Sequence, residues 1–168
     1  FKFHGEASLA RVLGRYLRSE AQNQGLLNQI DLVLPVPLSR ERLRERGFNQ
    51  SLLLARELKH PGLLPDGLLR LRHTAAQASL PRHERLQNLT HAMACNPRHV
   101  PHLQQQRVLL VDDVMTTGST LTACCQALRS VGVRDIQLLV LARAEAHEAP
   151  QSGLATPPHH VQHRSRSP

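Results

Sequence analysis

The stretch Arg107–Thr120, RVLLVDDVMTTGST, carries the clearest structural signal in this chain of 168 residues. Its four apolar residues, Val108 to Val111, predict a buried strand. Two adjacent carboxylates, Asp112 and Asp113, follow directly, and a glycine among hydroxyl side chains comes next. We therefore expect the carboxyl end of this strand to bind a ligand.

The residues after the strand suit a ligand with two different ends. In open α/β sheets, ligands bind beyond the carboxyl ends of the strands, where we expect the two acids to lie. The next helix should begin near Ser119 or Thr120, so that its free N–H groups face the same crevice, and Gly118 allows close backbone approach. A ribose 5-phosphate unit fits this pattern. Its phosphate would bind the TTGST loop, and its hydroxyls would donate to the carboxylates, directly or through water on Mg²⁺.

Other motifs with acidic or glycine-rich loops fit this stretch less well. A Walker-type loop needs G-x-x-x-x-G-K-[ST], and the chain has lysine only at Lys2 and Lys59. A receiver domain has its acidic pair at the first strand and a phosphoacceptor Asp later, whereas here only Asp135 follows, before a strand. A purely structural role for Asp112 and Asp113, as turn and capping residues, is the remaining alternative.

Strands and helices alternate along the rest of the chain. Residues with helical spacing near the start predict an amphipathic helix that packs on a sheet; they are Leu9, Val12, Leu13, Tyr16 and Leu17. The later segments are a strand over residues 30–36, a helix QSLLLARELK, a strand LLRLR, the strand VLLV, a helix STLTACCQALRSVGV and a strand RDIQLLVLAR. This alternation predicts an α/β domain with a mainly parallel sheet.

An arginine-rich stretch, PLSRERLRERGFNQ, follows the first predicted strand. Pro35 and Pro37 interrupt that strand because proline lacks the N–H that the sheet ladder needs. Runs of charge are mostly solvated surface. We therefore predict an exposed charged loop, with Asn49 capping the next helix through its side-chain oxygen.

Composition limits the classes of partner. The formal net charge of +8 favours phosphate-bearing partners, either small esters or nucleic acid. Three Phe, one Tyr and no Trp argue against a base-stacking platform.

Three cysteines without framework spacing favour a reducing cytoplasm, with Cys124 and Cys125 predicted to face the core. No apolar run or leader predicts membrane insertion or secretion. Phe1 at the start indicates processing or a fragment, and residues 147–168 are predicted to be disordered.

VLLVDDVMTTGST resembles the diphosphoribosyl-binding motif of type I phosphoribosyltransferases, with its apolar strand, two acids and hydroxyl-rich loop around glycine. Two further stretches, LPVPLSRERLRERGFNQSLLLARELK and RHTAAQASLPRHERLQNL, are similar to signature blocks of one branch, the competence protein F (ComF/GntX) family. The resemblance implies an α/β fold with a mainly parallel sheet flanked by helices and a flexible hood, the type I phosphoribosyltransferase fold. It places the domain at residues 1–146 and the hood at about residues 68–95.

The resemblance also implies a role for each matching residue. The acidic pair, Asp112 and Asp113, would hold the ribose hydroxyls and organise Mg²⁺ through water. The 5′-phosphate of phosphoribosyl diphosphate would be bound by Thr116, Thr117, Gly118, Ser119 and Thr120. Its pyrophosphate would be bound by Pro37, Leu38, Ser39, Arg40 and Arg46. The catalytic hood residues would be Arg72 and Arg82, and the other hood residues Thr74, Gln77, Arg85 and Asn88.

Two functions follow from the resemblance. One is an enzyme that uses Mg²⁺ to transfer the phosphoribosyl group from phosphoribosyl diphosphate to an unidentified nitrogen acceptor. Arginines and Mg²⁺ would neutralise the leaving pyrophosphate, and hood closure would exclude water. The other is a non-catalytic accessory protein of DNA uptake that binds single-stranded DNA or a helicase partner. The sequence identifies neither the acceptor nor the oligomeric state.

Overall fold

The computed structural model describes residues 2–71 and 92–144, with side chains from residue 8 onward. Among these residues no helix combines the length and apolar character that crossing a bilayer requires. The predicted tail, residues 147–168, lies outside the described residues. The helices and strands are α1 Lys2–Asn23, β1 Leu32–Pro35, α2 Arg40–Arg46, α3 Gln50–Glu57, β2 Leu68–Arg70, β3 Met93–Cys95, α4 Val100–Leu103, β4 Arg107–Met115, α5 Ser119–Ser130 and β5 Asp135–Arg143.

A parallel sheet of three strands, in the order β1-β4-β5, forms the centre of the described fold. The middle strand β4 pairs with β1 from Val108 to Val111 and with β5 from Arg107 to Met115. The run Val108–Val111 has no exposed surface, because helices cover both faces of the strand. The predicted α/β domain with a mainly parallel sheet is confirmed.

Alternation along β4 divides the core into two clusters, one on each face of the sheet. Val108 and Leu110 belong to the cluster that includes α5. Leu109 and Val111 belong to the cluster that includes α1 and α3. Asp112 and Asp113 continue this alternation, so their side chains lie on opposite faces of the sheet.

Helix α1 packs against α3 through its smallest residues. Ala10 and Ala21 are buried, and a Cβ added at Gly14 would come within 2.6 Å of the Cβ of Glu57 on α3. Leu17 is buried among sheet residues and Leu13 packs beside it, so the predicted packing of α1 on the sheet is confirmed for these two residues, while the other three residues of the stripe are exposed. The exposed residues of the stripe are Leu9, Val12 and Tyr16.

The arginine-rich stretch after β1 is the helix α2, and the prediction of a loop is wrong. Ser39 caps the helix by accepting a hydrogen bond of 3.2 Å from the backbone N–H of Arg42. Gly47 ends it with a φ of 77°, a conformation that favours glycine. Asn49 then caps α3, as predicted, by accepting from the N–H of Leu52 at 3.4 Å. No residue of α2 is buried, so no apolar periodicity marks this helix in the sequence.

An ion pair holds the start of β4 beside β1. The Arg107 side chain donates to both carboxylate oxygens of Asp31, at 3.1 Å and 2.8 Å, and its backbone N–H donates to Asp31 at 2.9 Å. These hydrogen bonds lower the pKa of Asp31 to about 2. The pair therefore joins β1 and β4 at their amino ends, away from Asp112 and Asp113.

Strands β2 and β3 form a separate antiparallel pair at the base of the predicted hood. Leu68 on β2 pairs with Cys95 on β3, and both residues belong to the cluster on the α5 face of the sheet. Residues 72–91, which include most of the predicted hood, lie outside the described residues. The hairpin thus connects the predicted hood to the main core.

The three cysteines are free thiols. Cys124 has no exposed surface, and its burial raises the pKa of its thiol to about 12, so it stays protonated at neutral pH. The predicted core position of Cys124 is confirmed, while Cys125 is only partly buried.

Candidate functional site

The acidic pair lies within strand β4. The apolar run predicts a strand that ends at Val111, but β4 continues to Met115, which pairs with Arg143 of β5. The equally long β5 supplies the hydrogen-bond partners that extend the strand. Because neighbouring residues of a strand point to opposite faces, Asp112 and Asp113 face different sides of the sheet.

Asp112 is buried beside the loop that follows β4, with 8% of its surface exposed. Its Oδ1 accepts hydrogen bonds from Oγ of Ser51 at 2.9 Å and from the N–H of Asp113 at 3.0 Å. Burial raises the pKa of Asp112 to about 6, and the hydrogen bond from Ser51 opposes this effect. Asp112 also interacts with the neighbouring carboxyl group of Asp113, which raises the pKa of Asp112 further.

The loop Thr116–Thr120 borders a small cavity of about 40 Å³ at the beginning of α5. Asp112 and Val114 line the same cavity. Gly118 has a φ of 73°, and α5 starts at the next residue, with first-turn N–H groups that have no partner inside the helix. Such N–H groups bind phosphate readily. The structure thus brings all five predicted phosphate-binding residues together with one of the two acids.

Asp113 lines a larger groove of about 560 Å³ between α1, α3 and the carboxyl ends of β4 and β5. Arg46, at the end of α2, lies in the wall of this groove, apart from the other predicted pyrophosphate-binding residues. Val114 lines both the groove and the small cavity. The structure therefore places the two acids in adjacent spaces that meet at Val114. The apolar walls of the groove include Leu9, Leu13, Leu54 and Leu141.

A third cavity, of about 340 Å³, lies between the segment that precedes α2 and the strand β2. Four of the five predicted pyrophosphate-binding residues, Pro37, Leu38, Ser39 and Arg40, line it together with residues 68–71. Asn49 fixes this segment, because its side-chain nitrogen donates to the carbonyl oxygen of Val36 at 3.0 Å. A cation and a hydroxyl-bearing residue thus border a space large enough for a diphosphate.

The predicted hood residues lie outside the described residues, and their roles stay predictions. They are Arg72, Thr74, Gln77, Arg82, Arg85 and Asn88.

Two described residues near the site have no role in the sequence prediction. Ser51 binds Asp112 across 61 residues of chain, and no local pattern marks it. Arg70 lines the third cavity, and the charge of Asp112 raises its pKa, although burial lowers it more. The alternation in LLRLR does not identify Arg70, because Leu69 and Leu71 form the more apolar face in the sequence, whereas in the structure Leu68 is the buried residue and Arg70 pairs with the buried Met93.

The described residues could hold Mg²⁺ only together with oxygen atoms of a bound phosphate compound. No group of three His, Cys, Asp or Glu side chains within the described ranges could hold a metal ion. Proteins commonly bind Mg²⁺ through one or two carboxylates, water and substrate phosphates. Asp112 provides such a carboxylate beside a phosphate-type loop, and Asp113 lies next to it in sequence. This donor set fits a magnesium ion that arrives with a phosphate ester.

Comparisons with known proteins agree with this geometry. Residues 54–158 match the family model described as the phosphoribosyl transferase domain. The chain is 38% identical over 152 residues to competence protein F of Haemophilus influenzae and 34% identical over 148 residues to the DNA utilization protein YhgH of Escherichia coli (strain K12). These alignments cover 86% and 84% of this chain. The chain spans 65% and 63% of the two relatives, less than two thirds of each.

Two solved structures share the fold. One is the allosteric regulatory enzyme of purine biosynthesis, with a TM-score of 0.52 and 21% identity. The other is glutamine phosphoribosylpyrophosphate amidotransferase from B. subtilis in complex with ADP and GMP, with a TM-score of 0.52 and 18% identity. Each match covers 80% of this chain and 26% of the solved chain. At these identities the likeness concerns the fold alone, and it confirms the predicted fold class.

Proposed function

Because this chain belongs to the phosphoribosyl transferase domain family, in its competence protein F branch, we propose that it binds phosphoribosyl diphosphate with Mg²⁺ and transfers the phosphoribosyl group to a nitrogen acceptor. One observation carries the proposal: Asp112 and the loop Thr116–Thr120 line the same cavity. The carboxylate can accept hydrogen bonds from ribose hydroxyls, and the loop can donate to a phosphate. A ligand that carries both ribose hydroxyls and a phosphate can therefore bind to Asp112 and to the loop at the same time.

Each part of the site has its own role in the proposed reaction. The loop holds the 5′-phosphate, Asp112 holds the ribose hydroxyls, and Ser39 and Arg40 contact the pyrophosphate. Asp112 and Asp113 would hold Mg²⁺ through water, and the ion, when bound, neutralises charge on the pyrophosphate. In the transfer, the bond from ribose C1 to the pyrophosphate oxygen breaks. A bond from the acceptor nitrogen to C1 forms, and that nitrogen loses its proton.

Calorimetric titration tests the binding part of this proposal. Phosphoribosyl diphosphate with Mg²⁺ is titrated into the native chain and into Asp112→Asn/Asp113→Asn. We expect the double variant to bind at least about tenfold more weakly, since it loses two charge-assisted acceptors. Asp135→Asn is a control, because it removes a carboxylate at the opposite end of β5. No heat at millimolar ligand, or equal binding by the double variant, would contradict the assignment.

Release of pyrophosphate tests the catalytic part. The native chain is incubated with phosphoribosyl diphosphate, Mg²⁺ and a series of nitrogen bases. Pyrophosphate released only in the presence of one base identifies the acceptor and supports the enzyme. Binding of phosphoribosyl diphosphate without release for any base would favour a non-catalytic role.

A second function, accessory to DNA uptake, is favoured by the names of the relatives, which are competence and DNA utilization proteins. The net charge of +8 and the exposed arginines of α2 would provide a basic contact surface for single-stranded DNA or a helicase partner. Affinity for a single strand that falls steeply with added salt supports a basic contact surface, and salt-independent affinity contradicts it. We place either function in the cytoplasm, which the free thiols support.

A further inference from the structure

Strand β5 is an edge of the described sheet. Within the described part of the chain it pairs with β4 alone, so one side of its backbone is turned away from the sheet. The N–H of Asp135 donates to Gln106, just before β4, at 3.4 Å, whereas the N–H of Ile136 donates to the side chain of Asp135 at 2.9 Å. Backbone groups alternate in direction along a strand, so those of Leu138 and Val140 point outward with that of Ile136.

The two edges of the sheet differ in how they are covered. At the other edge, Val33 of β1 donates to the carbonyl oxygen of Gly62 at 3.0 Å and accepts from the N–H of Leu64 at 2.9 Å. Strand β5 is nine residues long, and its residues 136–142, IQLLVLA, include no charge, proline or glycine. Proteins usually protect an edge strand with such residues or by keeping it short. The outer edge of β5 is therefore suited to pair with another strand.

Leu138 adds an apolar side chain to this open backbone. It is 46% exposed, although Leu110, its partner on β4, is fully buried. Ile136 and Val140, its neighbours on the same face, pack against the cluster on the α5 side of the sheet. Side chains directly opposite each other on paired strands contact one another. A strand added to this edge would therefore cover Leu138 as well as the backbone groups.

The charges of β5 make the strand complementary to itself. Asp135 and Arg143, the charged residues of the strand, are exposed at its two ends. They are an even number of residues apart, so their side chains share one face. If two copies run antiparallel about Leu139, Asp135 of each copy lies opposite Arg143 of the other, and Leu138 lies opposite Val140. A parallel pair in register would place like charges opposite each other, which is destabilising.

We propose that β5 pairs antiparallel with β5 of a second copy of this chain, which joins the two three-stranded sheets in a dimer with its two-fold axis at Leu139. The outward backbone groups of Leu138 bond those of the partner's Val140. Ion pairs between Asp135 and the partner's Arg143 fix the register. The dimer needs no ligand, so this inference is independent of the proposed function.

The dissociation constant of the dimer tests the position of the interface. Analytical ultracentrifugation over a range of concentrations compares the native chain, Leu138→Lys and the control Val12→Lys. Both substitutions replace an exposed apolar residue by lysine, but Val12 lies on α1. Since lysine on an edge strand opposes pairing, Leu138→Lys should dimerise at least about tenfold more weakly, and Val12→Lys should match the native chain. A native chain that is monomeric at millimolar concentration, or equal losses in the two variants, would overturn the inference.

Charge reversal tests the register. Asp135→Arg and Arg143→Asp each place like charges opposite each other at both ends of the paired strands, so each should weaken the dimer several-fold. The double variant Asp135→Arg/Arg143→Asp restores opposite charges and should dimerise as the native chain does. Single variants without effect, or a double variant no tighter than the single ones, would overturn the antiparallel register.

Amide hydrogen exchange of the native chain keeps the test decisive if a variant does not fold. The amides of Leu138 and Val140 should exchange at least about tenfold more slowly above the dissociation constant than below it, because pairing gives them acceptors. Equal protection at every concentration would show that another segment of the same chain covers the edge. Absence of protection would show that the edge stays open, and either result overturns the inference.

Discussion

Ser51 donates a hydrogen bond of 2.9 Å to Oδ1 of Asp112, and this contact joins α3 to the carboxyl-terminal part of β4. Ser51 is 3% exposed, so bulk water does not reach this hydrogen bond and would not take the place of the hydroxyl if it were removed. Because this hydrogen bond lowers the pKa of Asp112, its loss in Ser51→Ala should move that pKa above 6.

We therefore expect Ser51→Ala to bind phosphoribosyl diphosphate with Mg²⁺ several-fold more weakly than the native chain near pH 6, and with a smaller deficit near pH 8. Calorimetry at both pH values measures the difference. Ser130→Ala is the control, since Oγ of Ser130 donates only to the carbonyl of Ala127 at the end of α5. A deficit that does not depend on pH would show that Ser51 acts through packing alone.

Asp112→Asn should stabilise the fold at neutral and alkaline pH. The pKa of Asp112 is about 6 in the folded chain, against an ordinary 3.8. Below about pH 4 the group is protonated in both states and contributes nothing. Between about pH 4 and pH 6 the Asp112 carboxyl ionises in the unfolded chain before it ionises in the folded chain, so the free energy of unfolding falls as the pH rises. Above pH 6 the ionised, buried carboxylate lowers the free energy of unfolding by about 3 kcal/mol. Urea unfolding should give the variant a higher free energy of unfolding near pH 8, by about 1 to 3 kcal/mol, and no advantage near pH 4.

Asp112→Asn is therefore expected to raise stability and to weaken the binding of phosphoribosyl diphosphate in the same protein. An Asp112→Asn chain that is less stable than the native chain near pH 8 would contradict the cost assigned to this buried carboxylate.

Asp31→Asn should have the opposite pH dependence. Arg107 lowers the pKa of Asp31 to about 2, so the ion pair stabilises the folded chain above about pH 4, and this contribution is lost as the pH falls through 2. We expect the variant to unfold at a lower temperature than the native chain at pH 7 and the difference to shrink on acidification. Its affinity for phosphoribosyl diphosphate should be unchanged, because Asp31 precedes β1 at the end of the sheet away from the site. Weakened binding would contradict this separation of roles.

Gly118 and Gly132 form a matched pair for testing the phosphate loop. Both have positive φ, 73° and 83°, and an added Cβ meets only Sδ of Met115 at 3.8 Å in the first case and nothing within 4 Å in the second. Alanine at either position should cost about 1 to 2 kcal/mol of stability, from backbone strain. Only Gly118→Ala should weaken the binding of ribose 5-phosphate, because relief of the strain moves the N–H groups of the loop. Thermal unfolding and titration of both variants measure the two effects. Equal affinity of the two variants for ribose 5-phosphate would show that the loop is not part of the binding site.

Patterns within one element were sufficient to predict the centre of the fold. The apolar run Val108–Val111 identifies the buried strand, and Asn49 identifies the start of α3, because burial and capping depend on neighbours in sequence. The phosphate loop is predicted for the same reason, since its glycine and hydroxyl side chains are contiguous. These residues form one cavity in the structure.

The remaining features depend on contacts that the sequence does not contain. The extension of β4 to Met115 requires β5 as a partner. The exposure of Tyr16 depends on which face of α1 packs against the rest of the protein, and that is a tertiary contact. Helix α2 has no buried face, so its pattern resembles a charged loop. The hydrogen bond from Ser51 to Asp112 joins distant parts of the chain and leaves no local signal.

The two-ended site is tested most directly by comparing the dissociation constants of ribose 5-phosphate and inorganic phosphate, each with Mg²⁺, for the native chain and Asp112→Asn. The amide resonance of Gly118 reports both titrations from within the loop. In the proposed site Asp112 accepts from the hydroxyls and the loop donates to the phosphate, so the native chain should bind ribose 5-phosphate about tenfold or more tightly than phosphate. Asp112→Asn should bind the two ligands equally. A native chain without this preference, or a variant that keeps it, would contradict the assignment of the ribose to Asp112.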